Sequence, residues 1–376
     1  MKPAATDPQN LRLRIWGPKL NRTLNSWLMK RFHIISIVLG AALLMFLTWQ
    51  IGFHKLWKEL VLLGWGLAPL IFIGGVAHIF HAFGWRRCLV GEARSLPLFQ
   101  VFRILMAGYS INYLTPTATL GGEVTKGTLL SVNHNGTEAV AGVIVGKLAY
   151  SLAQLLFVSL GSIFTLWGAD LPAGVWLALL LSSALLASGM IGFLLVQKYG
   201  KLGVVVRWLA ARKAGGKMLQ KAAHHITAVD EELRKFYKSH PYDLPSAILW
   251  HIAGMACGII QAWYFLFRLT DHASLETATE VYFLGSWFDL LAFAIPLNIG
   301  VQEGTRIVAF KVVGLGSVMG LAYGLTLRFE QIFWTGIGLL GYANLLSEQR
   351  KSTQISLPYG NQKTPGVSGN VPHGAP

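Results

Sequence analysis

Apolar residues in this chain occur in long runs separated by short polar segments, the pattern of helices that cross a membrane. A helix rises ~1.5 Å per residue, so about twenty apolar residues cross a hydrocarbon core of ~30 Å. The pattern therefore predicts an all-α polytopic membrane protein with a single transmembrane domain over 34–346. Uninterrupted spans are predicted at about 34–53, 62–85, 138–166, 173–197, 245–268 and 317–345.

Two further apolar segments, 97–132 and 278–313, are interrupted by proline, glycine and charged residues. Pro116 and Pro296 each mark a helix break, because a proline inside a helix removes a backbone hydrogen bond. Each segment is predicted to form two half-helices that meet at an irregular turn, which makes a re-entrant hairpin. Such backbone is tolerated at membrane depth only where protein shields it or where it lines a polar cavity.

The two interrupted segments carry the same motif, and its copies are related by a shift of 180 positions. Proline, glutamate and threonine recur, and a lysine in the first copy is an arginine in the second. Paired broken helices in two halves of a membrane protein point to a transport site. The matching residues are Pro116 and Pro296, Glu123 and Glu303, Thr125 and Thr305, and Lys126 and Arg306.

Composition agrees with a membrane protein, and charge placement predicts its orientation. Charged residues make up 13% of the chain, and 32 Lys and Arg against 17 Asp and Glu give a net charge of +15. The basic residues flank apolar spans, which excludes a nucleic-acid-binding face. The basic arm 1–33 and the basic loop 198–240 are predicted to be cytoplasmic, as are both termini. The halves 62–166 and 245–345 would then form an inverted repeat, with one hairpin entering from each side.

The basic loop contains an amphipathic segment, 216–238. Its apolar stripe has a basic rim, which suits a helix lying on an anionic leaflet, and packing on neighbouring loops is an equal alternative. The Pro- and Gly-rich tail, 347–376, is predicted to be disordered. The stripe consists of Leu219, Ala222, Ile226, Val229, Leu233 and Phe236.

Charged groups at membrane depth are costly and are therefore candidates for function. We expect the free N–H groups of half-helix N-termini and the basic side chains to bind an anionic lipid headgroup. Glu123 and Glu303 would pair with these bases in the empty cavity, or gate and couple transport to protons. Substrate-binding candidates are Lys126, Arg306, Lys147, Arg328, Asn112, Thr125, Thr305, Gly121 and Gly122.

Several polar residues have a structural explanation beside the functional one. Lys147 or Arg328 could each be a member of a structural ion pair, since buried charges must be paired. Asp289 has no counterpart in the first half, where Tyr109 occupies the matching position, and a local hydrogen bond would explain it equally well. No metal or cofactor is predicted, and packed histidines are expected at His78, His81 and His251. Cys88 and Cys257 are expected to be packed thiols.

The run Asn112-Tyr113-Leu114-Thr115-Pro116 with Gly121-Gly122-Glu123, followed by Pro296, Gly300, Glu303 and Arg328, resembles the flippase-like family. This family comprises the membrane region of bacterial lysylphosphatidylglycerol synthases and stand-alone relatives. The resemblance covers about 30–345 and implies an inverted-repeat bundle with two re-entrant hairpins that moves lipids between leaflets. The soluble synthase domain is expected to be absent. The second copy departs from the first, with Val301-Gln302 in place of Gly121-Gly122, so the two hairpins need not contact substrate equally.

These observations predict a non-enzymatic flippase of the bacterial inner membrane that moves an anionic or polar-headed lipid. A membrane enzyme acting on lipid headgroups is the second class, and a metal requirement would favour it. An accessory subunit of an envelope-lipid pathway is the third, and insensitivity to substitution of the glutamates would favour it. The expected partners are membrane lipid and the anionic leaflet surface. A homo-oligomer and a lipid-synthase partner both stay open, as do the lipid's identity, the direction and the energy source.

Overall fold

The computed structural model of the chain is mainly helical in the residues it describes. No strand occurs in these parts of the chain, so the predicted all-α class is confirmed. Pro116, Pro296 and Asn298, most of the predicted span 34–53, the arm 1–33 and most of the basic loop lie outside them. The described residues are 45–46, 48–50, 52–115, 120–132, 134–168, 173–198, 231–232, 234–270, 273–291 and 299–355.

Six helices precede the basic loop. Two of the predicted spans, 138–166 and 173–197, match their helices within two residues at each end. Short 3₁₀ turns at Gly64–Gly66 and Gly91–Ser95 precede the second and third helices. The helices are α1 Phe53–Leu63, α2 Leu67–Arg87, α3 Leu98–Leu114, α4 Leu120–Ser131, α5 Gly136–Gly168 and α6 Ala173–Lys198.

Four helices follow the basic loop. α10 continues from Ser347 to Ile355, into the segment that was predicted to be a disordered tail. The half-helices expected in each interrupted segment correspond to α3 with α4 and to α8 with α9. The helices are α7 Asp243–Leu269, α8 Leu275–Leu291, α9 Val301–Val312 and α10 Ser317–Ile355.

Three helical stretches are long and apolar enough to cross a membrane: Phe53–Arg87, Gly136–Thr165 and Asp243–Leu269. In the first of these, α1 lies largely between the predicted spans 34–53 and 62–85. The apolar runs did not predict this helix because α1 is amphipathic. Leu56 and Leu63 are buried one heptad apart, whereas Lys55 and Lys58 are exposed.

The helices on either side of the basic loop make corresponding contacts. α2 and α7 pack along one another at the centre of the bundle. Two sets of four helices correspond, a first set α2–α5 and a second set α7–α10. Within these sets, α3 contacts α4 as α8 contacts α9, and α4 contacts α5 as α9 contacts α10. Between the sets, α3 contacts α10 as α8 contacts α5. The pair α3–α4 therefore packs against the long helix α10, and the pair α8–α9 packs against the long helix α5.

The two largest of the four apolar clusters in the described residues lie towards opposite ends of the central helix pair. One contains Trp85, Leu89 and Val145 and belongs mainly to the first set of helices. The other contains Leu70 of α2 with Phe265, Phe310 and Tyr323 of the second set. Crossing residues such as Leu70 join the two sets into one packed body.

The described end of the basic loop packs against protein. Residues 234–239 are helical, and Phe236 is buried in the first apolar core. Burial raises the pKa of the neighbouring Tyr237 to about 12. The packing alternative for the amphipathic stripe therefore applies at Phe236. The stripe residues Leu219, Ala222, Ile226, Val229 and Leu233 lie outside the described part of the chain.

Candidate functional site

The first charged cluster is half-buried and lies where α4 meets α3 and α5. Glu123 is in the first turn of α4, and its Oε2 lies 2.6 Å from Nζ of Lys126, three residues later. The Lys126 ammonium lies 5.0 Å from the centre of the Trp85 ring. On α5, the Lys147 ammonium lies 5.6 Å from the centre of the Tyr150 ring. This cluster therefore combines one carboxylate and two ammonium groups with aromatic faces that attract cations.

The second charged cluster is centred on Glu303 in the first turn of α9, which is 0% exposed. Its Oε2 accepts a hydrogen bond of 2.8 Å from the backbone N–H of Gly300, at the start of the helix. Arg328 of α10 holds the same carboxylate through Nε at 2.9 Å and Nη2 at 3.3 Å. Arg328 Nη1 also donates to the hydroxyl of Tyr113, at 3.1 Å. Arg328 therefore connects the second hairpin with the first.

Arg306 of α9, the counterpart of Lys126, pairs with an acid on α8, the preceding helix. Its Nη2 lies 2.5 Å from Oδ2 of Asp289 on α8. Gly285 makes room for this guanidinium, since a Cβ there would collide with Nη1 of Arg306. Asp289 therefore joins α8 to α9 through an ion pair. The glutamates of the repeated motif were the expected partners of the bases, whereas the partner of Arg306 in the structure is Asp289.

The remaining first-half candidates join α3 to α4. The side-chain oxygen of Asn112 accepts a hydrogen bond of 2.6 Å from the N–H of Gly122. A Cβ at Gly122 would collide with the carbonyl oxygen of Gly108 and with Asn112. The close backbone approach at Gly122 is therefore to α3.

The threonine hydroxyls of the repeated motif bond within their own helices. Thr125 Oγ1 donates to the carbonyl of Gly121 at 2.9 Å, and Thr305 Oγ1 donates to that of Gln302 at 2.8 Å. Each hydroxyl still has lone pairs with which to accept a hydrogen bond from a ligand.

The three histidines take part in aromatic packing around the central helix pair. His81 of α2 and His251 of α7 share a hydrogen bond, with their Nδ1 atoms 3.0 Å apart. His78 packs edge-on against Tyr109 and Trp334, with ring centres 4.7 and 5.6 Å apart. In the described residues no group of three or more His, Cys, Asp or Glu side chains is placed to hold a metal ion.

Besides Asp243 and Glu280, sequence reasoning missed the buried acid Glu330 of α10, which is 9% exposed. It lies against α2, where a Cβ at Gly74 would collide with its Oε1. The amide of Gln261 on α7 is next to the same glycine and donates to the carbonyl of Leu70 at 2.8 Å. The available signal was an acid near the middle of an apolar span, two residues after Arg328.

The fold and the buried ion pairs define a helical membrane protein with charged groups in its interior. The family model for the lysylphosphatidylglycerol synthase TM region matches residues 33–338, and the chain belongs to this family. The family connects the chain with membrane-lipid handling. No curated protein and no solved structure matched.

Proposed function

We propose that the protein is a flippase of the inner membrane that moves an anionic or polar-headed lipid between leaflets. The observation that carries the proposal is the pair of acid–base clusters at the first turns of α4 and α9, the first half-buried and the second largely buried. Charged groups inside an apolar bundle are expensive, and in membrane proteins they mark substrate pathways. A lipid headgroup is the polar cargo that this family's connection with lipids suggests.

The lengths of α4 and α9 support re-entrant hairpins. Each has 12 residues, which corresponds to ~18 Å of helix, whereas a hydrocarbon core is ~30 Å thick. Helices this short end inside the membrane. Their N-terminal turns then present free N–H groups and a positive dipole end to a polar cavity.

Side-chain contacts at the central helix pair support an inverted repeat. A Cβ at Gly74 would meet Gln261, and a Cβ at Gly254 would meet His81. A shift of 180 positions converts Gly74 into Gly254, and His81 into Gln261. The contact of Gly74 with Gln261 therefore corresponds to the contact of Gly254 with His81 when the two halves are interchanged. A two-fold axis between α2 and α7 would produce this correspondence. The predicted span 173–197, which is α6, would supply the odd crossing that makes the halves antiparallel.

The charge balance of the two clusters favours an anionic headgroup at the first. Glu123, Lys126 and Lys147 carry one formal positive charge in sum, whereas the two acids and two arginines of the second cluster cancel. We propose that the lipid phosphate replaces Glu123 as the partner of Lys126 and Lys147. Asn112 and Gly121 would contact the headgroup from the turn.

The Arg328 contact with Tyr113 suggests how the cavity opens. In this arrangement Arg328 bridges Glu303 of the second hairpin and Tyr113 of the first. A phosphate that binds Arg328 would compete with both partners and separate the hairpins. Glu303, as the fully buried partner, would then gate the transition.

Transport in reconstituted vesicles tests the proposal. Phosphatidylglycerol with a fluorescent headgroup is incorporated into both leaflets, and a membrane-impermeant quencher reports the fraction that reaches the outside. Wild-type protein is expected to move the lipid faster than protein-free vesicles, and Arg328→Ala and Glu303→Ala are expected to abolish the gain while still folding. Glu348→Gln, an exposed acid on α10, serves as the matched control. Equal rates with and without the wild-type protein would overturn the proposal.

A further inference from the structure

Glu330 is one of two buried acids in the described residues that form no ion pair, the other being Glu280 on α8. Glu330 is the one that lies against the central helix pair, where a Cβ at Gly74 would collide with its Oε1. Glu123 pairs with Lys126, Glu303 with Arg328, and Asp289 with Arg306. None of the acid–base pairs within 4.0 Å in the described part of the chain includes Glu330. An ionised carboxylate that is buried without a partner is so unfavourable that the group takes up a proton instead.

The surroundings of Glu330 are poor in charge on every helix that packs against α10. α2 contributes His78, whose ring contacts Trp334, one turn after Glu330, and α3 contributes the phenol of Tyr109. Tyr323 lies on α10 itself. The other charged groups of the neighbouring helices are paired or hydrogen-bonded elsewhere, are exposed, or, in the case of Glu59, are half-buried on α1. They are Glu303, Arg306 and Lys311 on α9, Arg103 on α3, Arg86 and Arg87 on α2, and His54, Lys55, Lys58 and Glu59 on α1.

The site suits a proton better than a metal cation. A hard cation requires a shell of several oxygen ligands. Here Glu330 lies beside Gly74, the indole of Trp334 is one turn away, and the nearby Gln261 presents its amide nitrogen. That nitrogen already donates to the carbonyl of Leu70.

We propose that Glu330 binds the proton that drives lipid movement, taking it up on one side of the membrane and releasing it on the other. This inference rests on the proposed lipid transport. It assigns coupling to Glu330, since Glu123 and Glu303 are already held in ion pairs.

The position of Glu330 on α10 explains how a proton would act on the headgroup site. Glu330 and Arg328 are two residues apart, so they point to different faces of one helix. Ionised Glu330 therefore cannot take Arg328 from Glu303, and its charge is stabilised only if α10 moves away from Gly74 towards water. Because α10 is a continuous helix, that movement also displaces Arg328 from the second hairpin.

Infrared spectroscopy tests the proton site without depending on transport. Purified wild-type protein at neutral pH should show the carbonyl stretch of a protonated carboxyl group, which disappears as the pH is raised. Glu330→Gln should lose the Glu330 part of this band, and any remainder should come from Glu280, the other buried acid without an ion pair in the described residues. Glu348→Gln should keep the whole band, because Glu348 is an exposed acid of the same helix that pairs with Arg103. An unchanged band in Glu330→Gln would overturn the assignment.

Vesicles with an imposed pH gradient test coupling. The wild-type protein and Glu348→Gln should move fluorescent phosphatidylglycerol faster with the gradient than without it. Glu330→Gln should lose this stimulation, and its melting temperature in detergent verifies that it is folded. Full stimulation of Glu330→Gln, or stimulation by a sodium gradient alone, would contradict the coupling. If the wild-type protein moves no lipid, the coupling falls with the proposed function, whereas the infrared band still identifies a buried protonated acid.

Discussion

Glu303 and Arg328 form a two-pronged ion pair across the contact between α9 and α10, with N–O distances of 2.9 and 3.3 Å. The same carboxylate caps the start of α9 through the N–H of Gly300. The acid therefore stabilises its own helix and fixes α10 against it. Loss of either charge leaves the other buried in an apolar bundle, which makes this pair the most sensitive polar contact of the second hairpin.

A double-mutant cycle on this pair should show strong coupling. Arg328→Met leaves Glu303 charged and buried, so it should lower the free energy of unfolding by ~3–5 kcal/mol. The double variant Glu303→Gln with Arg328→Met should lose less than the sum of the single variants. Unfolding in detergent measures all four proteins. The Arg103–Glu348 pair, whose acid is 60% exposed, is the control and should couple by only ~0–1 kcal/mol. Additive losses at Glu303 and Arg328 would contradict the structure.

Gly122 should be intolerant of a side chain, because α3 leaves no room for one. A methyl group at this position meets the carbonyl of Gly108 and the side chain of Asn112. Gly122→Ala should therefore cost ~1–3 kcal/mol of unfolding free energy through overpacking. Gly341→Ala on α10 is the control, since no atom lies within 4 Å of its added Cβ. There alanine should be neutral or stabilising by up to ~1 kcal/mol. Equal losses in both variants would argue against the α3–α4 contact.

Anionic lipid should stabilise the protein through the first cluster. A ligand at a hundredfold excess over its Kd adds ~2.7 kcal/mol to the free energy of unfolding. Phosphatidylglycerol should therefore raise the melting temperature more than phosphatidylcholine does. The paired variant Glu123→Gln with Lys126→Gln removes both charges and should lose the extra increment. Lys235→Gln, an exposed residue near the end of the basic loop, should keep it. An unchanged increment in the paired variant would place the lipid elsewhere.

The sequence predicts the long helices of this fold well, because burial in lipid and in protein both demand unbroken apolar runs. The predicted span 245–268 lies within α7, Asp243–Leu269. α1 was missed because its exposed lysines interrupt the apolar run, and only two of its residues, Leu56 and Leu63, are buried. A composition rule that requires an apolar run cannot detect such a segment.

Partner choice among the charged residues was less predictable. The repeated motif identified Lys126, Arg306, Glu123 and Glu303, but the pairing of Arg306 with Asp289 depends on how α8 and α9 pack. Glu330 was missed for the same reason. Its isolation is a property of the contact with Gly74, more than 250 residues away along the chain.

The central claim is that the two halves cross the membrane in opposite directions around one charged interior. Gly136 is the first residue of α5, and Gly316, 180 positions later, immediately precedes α10. Both glycines are exposed, and a Cβ added at either one has no atom within 4 Å. A single cysteine introduced at either position is labelled with a membrane-impermeant maleimide, in intact cells and in permeabilised cells. The wild-type protein, whose two cysteines are buried, gives the background labelling. Gly316→Cys should react in intact cells, and Gly136→Cys only after permeabilisation. Reaction of both variants from the same side would contradict the inverted arrangement.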